Sequence, residues 1–79
     1  MKNLKVESTH FVVCLNNEGY TASLEVGKLY RSIPDQDADA NGLIRVVDES
    51  GEDYAFDVAR FHPISLPVNI EKVLLAAAR

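Results

Sequence analysis

"VVDESGEDYAFDVARF", residues 46–61, decides how this chain folds. Two short apolar runs flank a turn rich in acids, and the second run ends in a charged knuckle closed by an aromatic. In "LIRVVDE" (43–49), Ile44 and Val46 point one way, Arg45 and Val47 the other. "EDYAFDV" (52–58) alternates as well, with Tyr54, Phe56 and Val58 on one face and Asp53, Ala55 and Asp57 on the other. Period-two runs joined by a glycine-containing turn predict a β-hairpin. "DVARF" (57–61) breaks the alternation and Pro63 follows it, which predicts one turn of 3₁₀ helix. Ile44, Val46, Tyr54, Phe56 and Phe61 are therefore expected in one core.

Upstream, "HFVVCL" (10–15) is a short β-branched and aromatic run, too short for a helix, and predicts a buried strand. "NNEG" (16–19) is a turn. Between Tyr20 and Ile33, Gly27 separates a loop or short strand from a better strand at Lys28–Ile33, which Pro34 ends. "PDQDADANG" (34–42) predicts a loop. Downstream, "HPISLP" (62–67) predicts a last edge strand, bounded by prolines. In "NIEKVLLAAAR" (69–79), Ile70, Val73, Leu74 and Ala77 fall at helical spacing, with Asn69 as N-cap and Arg79 in the last turn. Residues 1–9 are polar and predict a frayed end or a loose strand.

The chain has 79 residues, 47% of them apolar and 25% charged. That predicts one small domain over residues 1–79, with core for a barrel or sandwich and little room for an enclosed active site. The net charge is −4, unevenly spread: residues 35–57 hold eight of the twelve acids and one base, Arg45. An acidic chain lacks the Lys/Arg surface that neutralises phosphates or meets anionic lipid, which argues against nucleic acid and membrane. The single cysteine, Cys14, permits no internal disulfide, which suits a reducing cytoplasm. No run reaches the ~20 apolar residues of a membrane span, and no leader pattern is present.

Strand, long loop, strand, acidic hairpin, strand, 3₁₀ turn and final strand is an order that resembles an SH3-like small barrel of five strands, with a C-terminal α-helix added. "GKLY" (27–30), "RVVDESGEDY" (45–54) and "RFHPI" (60–64) resemble short bacterial and phage SH3-like barrel proteins of unknown function. The resemblance spans about residues 10–66. It implies the fold and brings no catalytic residue with it.

Asp35, Asp37 and Asp39 alternate like ligands of a calcium loop, but Ala40 and Val46 stand where an EF-hand needs Gly and Glu. An acidic surface loop is the reading that fits. His10, Cys14 and His62 have no metal-ligand spacing; on a strand His10 and Cys14 would lie about 13 Å apart. No cofactor, metal or catalytic set is expected. Asp48, Glu49, Glu52 and Asp53 crowd one hairpin tip, where water surrounds them, so a basic partner surface suits them better than acid–base catalysis. Of the six aromatics, most must fill the core, and Tyr20 and Tyr54 are the candidates for a binding rim. The expected function is a non-enzymatic protein–protein interaction module with a basic or apolar partner; the alternative is a nucleic-acid-associated small barrel. The helical stripe has two destinations. It covers its own barrel, leaving a monomer, or it packs Leu74 and Leu75 on a second copy or a partner, giving a weak homodimer or a complex.

Overall fold

The computed structural model describes residues 10–77. It is mainly β: strands β1 (Phe11–Cys14), β2 (Leu29–Ile33), β3 (Leu43–Val47), β4 (Asp53–Asp57) and β5 (Phe61–Ile64), with helices α1 (Gln36–Ala40) and α2 (Val68–Ala77). The strands form one antiparallel sheet in the order β4-β3-β2-β1-β5. A 3₁₀ turn at Val58–Arg60 carries the chain from one end of that order to the other. Asp57 caps it, its side chain accepting from the Ala59 amide. β2 is shared lengthwise: Leu29–Arg31 pair with β1, and Ser32 and Ile33 pair with β3.

The hairpin of β3 and β4 aligns Ile44 with Phe56 and Val46 with Tyr54. Glu49, Ser50 and Gly51 form its loop, closed by Asp48 N–H to Glu52 C=O and Gly51 N–H to Asp48 C=O. Gly51 sits at φ 86°, the left-handed conformation that a three-residue hairpin loop requires at this position.

Val12, Cys14, Leu24, Tyr30, Val46, Phe56 and Phe61 form the buried core, with Ile44 packed against it. Tyr54 departs from the expected core set. It shares a face with Phe56, but at the hairpin end of β4 its ring stays about half exposed. Val58, expected on the same face, is turned into the 3₁₀ helix and exposed.

Both edge strands are blunted. Asp48 N–H to Glu52 C=O and Val58 N–H to Gly42 C=O fix which β4 residues bond to β3. By alternation, the backbone groups of Asp53, Ala55 and Asp57 face outward, two of them beside carboxylates. On β5, Leu15 N–H to Arg60 C=O sets the same alternation, and Pro63 falls at an outward position where no donor is required.

Residues 34–42 are not all loop. Asp35 accepts the Ala38 amide as N-cap of α1, and its other oxygen takes the Arg45 guanidinium at 2.8 Å. Two alanines and a capping acid make a single turn of helix here, anchored by buried Ala38.

α2 begins at Val68, one residue before the expected cap, and Arg79 lies outside the described residues, as do residues 1–9 with their expected loose strand. The expected stripe does not face inward as a unit. Ile70, Val73 and Ala77 are exposed, whereas Glu71, Leu74 and Leu75 are partly buried. A polar contact lies on the same face of the helix as the two leucines. One Glu71 carboxylate oxygen accepts the His10 backbone N–H at 3.3 Å, and the other lies 2.9 Å from His10 Nδ1. Among the described residues, no helix is long and apolar enough to cross a membrane.

Candidate functional site

The longest connection, between β1 and β2, folds back on the hairpin and makes a groove. Leu24, fully buried, anchors this connection to the core. Tyr20 C=O accepts the Ser23 and Leu24 amides, and the Asn17 side chain donates to Leu24 C=O at 3.0 Å. The Glu49 amide donates to Ser23 C=O, tying the hairpin loop to the connection. The resulting groove holds about 350 Å³ and is lined by Tyr20 and Ser23 from the connection, Asp48 and Ser50 from the turn, and Tyr54 and Phe56 from β4.

Tyr20 is 44% exposed, yet its ring is fixed. It meets Phe56 edge-to-face at 5.2 Å, and Phe56 meets Phe61 at 5.9 Å, so the groove floor is continuous with the core. The Arg60 guanidinium lies 4.8 Å from the Tyr20 ring centre and donates to Asn16 C=O at 3.2 Å. Across the groove, Tyr54 is 49% exposed and donates its hydroxyl to Glu52 at 2.8 Å. Three carboxylates hold that phenol above the ordinary tyrosine range: Glu52 first, through the hydrogen bond, then Asp48 and Asp53 by charge.

The four acids of the hairpin do different jobs. Asp48 is only 7% exposed, not a solvated turn residue; its Oδ1 accepts the Ser50 amide at 2.8 Å and the Ser50 hydroxyl at 2.5 Å. Glu49 turns to the other side and accepts from both the Lys28 ammonium and the Tyr30 hydroxyl at 2.6 Å. Lys28 first, then Tyr30, hold its carboxyl below the usual carboxylate range. Glu52 serves Tyr54, and Asp53 adds to the field on Arg45. Thus Tyr20, Tyr54 and Asp48 come together, with Glu52 at the rim; Glu49, Asp53, Leu74 and Leu75 line none of this groove.

Sequence reasoning missed Arg60, which positions Tyr20, and Ser50, which caps Asp48. Asp-Glu-Ser-Gly is itself a signal for the second, since an aspartate two residues before a serine forms such turns. Nothing local marks the first, because Arg60 and Tyr20 meet only through the fold.

His10, Cys14 and His62 are not assembled: His10 is at α2, Cys14 is in the core and His62 is exposed on β5. Among the described residues, no three His, Cys, Asp or Glu side chains are placed to hold a metal. No family model, curated protein or solved structure matches this chain.

Proposed function

We propose that this protein is a non-enzymatic protein–protein interaction module built on an SH3-like small barrel, acting as a cytoplasmic monomer or weak homodimer. The strand order, the shared β2 and the 3₁₀ turn between β4 and β5 support the barrel. One observation carries the function: Tyr20 and Tyr54, both about half exposed, flank one groove whose floor is Phe56. Aromatic side chains with a wet polar tip and an apolar body are the usual anchors of protein interfaces. An open groove of this size takes side chains of an extended segment more readily than it encloses a reacting substrate.

A photo-crosslinking amino acid at position 54 tests this reading, with the same group at exposed Val26 as control. In cells, position 54 should capture a discrete protein and position 26 should not. Equal labelling at both positions, or none at 54, rules the module out.

A further inference from the structure

Resting on that reading, we infer that the segment taken by the groove carries a cationic side chain, lysine or arginine, whose charged end meets Asp48 between the two tyrosine rings. Asp48 is nine-tenths buried, yet no cation reaches it among the described residues. Its Oδ1 accepts from Ser50, and its Oδ2, free of a hydrogen bond among the described residues, stays open to solvent. A carboxylate that lines the groove and holds no counter-charge attracts a cation entering there.

Arg31 lines the neighbouring hollows beside Val47 and Gly51 and not this groove, and the other cations near it are engaged. Lys28 is bound to Glu49, Arg45 to Asp35, and Arg60 to the Tyr20 ring and Asn16. Glu52 adds a second carboxylate at the Tyr54 hydroxyl. The groove therefore offers negative charge at one end and aromatic faces beside it. Both favour a cation with an aliphatic stem, and both disfavour an anionic segment. Tyr20 already accommodates one guanidinium, that of Arg60, which shows the compatibility of ring and cation in this setting.

The test is an NMR titration of the full chain with three capped pentapeptides, Ala-Pro-X-Pro-Ala, where X is Arg, Gln or Glu. The prolines keep each peptide extended at low entropic cost. The Arg peptide should shift the amides of Tyr20, Ser50, Tyr54 and Phe56, binding about five-fold more tightly than the Gln peptide, with the Glu peptide weakest. Asp48→Asn should remove the Arg preference. Should it fail to fold, Glu52→Gln should reduce the preference, and 0.5 M salt should reduce it in the parent chain. Equal binding of Arg and Gln peptides in the groove overturns the cation while leaving the groove intact. Absence of groove shifts with all three overturns both.

Discussion

Tyr30 donates its hydroxyl to Glu49 at 2.6 Å, joining the core of β2 to the tip of the acidic hairpin. The same hydroxyl accepts the Glu25 amide at 2.7 Å, so one phenol fastens the hairpin and the end of the β1–β2 connection together. The ring is buried in the core, and a phenol without its partner there costs more than a surface one. Tyr30→Phe should destabilise the fold by about 1–2 kcal/mol, because it orphans the Glu25 N–H and leaves the Glu49 carboxylate to Lys28 alone. Tyr54→Phe, which loses only an exposed bond, should stay within about 0.5 kcal/mol of the parent. Urea unfolding of the two variants checks the contrast; equal losses would show that Tyr30 does not fasten the two segments.

This cluster also sets the pH response. The folded pKa of Glu49 lies below its unfolded value, so its contribution is complete above about pH 4.5 and is lost as the pH falls through the folded value. Asp35, held down mainly by Arg45, acts with the same sign. Lys28 is raised by Glu49, and Tyr30 is raised by burial and then by Glu49. Their contributions hold below about pH 10 and fade as the pH rises through the folded values. Stability should therefore form a plateau between about pH 5 and pH 10. Glu49→Gln should reduce both limbs without abolishing them, since Asp35 and the burial of Tyr30 remain, as measured by thermal unfolding across pH; unchanged limbs would show that Glu49 contributes to neither.

Phe61 follows the 3₁₀ turn and packs on Phe56, so one side chain links the two ends of the strand order. Phe61→Ala should cost about 3–5 kcal/mol, a large share of the ~5–15 kcal/mol available to a domain, and leave much of the chain unfolded. A parent-like melting curve would show that the strand ends are held without it.

Legibility followed the range of the forces involved. The hairpin and the 3₁₀ turn were readable because alternation at Ile44–Val47 and its break at Asp57–Phe61 are local patterns. Val46, Phe56 and Phe61 in the core followed from them. Tyr54 did not, since a face says nothing about how far along a strand the core extends. Calcium-like spacing at Asp35–Asp39 concealed a capped turn of helix, because Asp35 is claimed by Arg45 ten residues away. The groove was half legible. Amphipathic chemistry singled out Tyr20 and Tyr54, but their meeting depends on the fold-back of the β1–β2 connection.

The rotation of α2 yields the last prediction. A stripe at helical spacing, Ile70, Val73, Leu74 and Ala77, suggested one inward face, yet only Leu74 of that set is partly buried. Glu71, which meets His10, shares its helix face with the partly buried Leu74 and Leu75, while Val73 is 66% exposed. Cis docking then assigns the stability to the two leucines. Leu74→Ala and Leu75→Ala should each cost about 1–3 kcal/mol, a fall of roughly 4–8 °C in Tm for each kcal/mol in a domain of this size. Val73→Ala should change Tm little, since truncating an exposed valine removes few contacts. Deleting residues 68–79 should lower Tm by an amount comparable to the double leucine variant and leave the sheet folded, because no α2 residue belongs to the buried core. Light scattering should give a monomer before and after. A dimer that dissociates on Val73→Ala would reverse the assignment and place the outer face of α2 against a second copy.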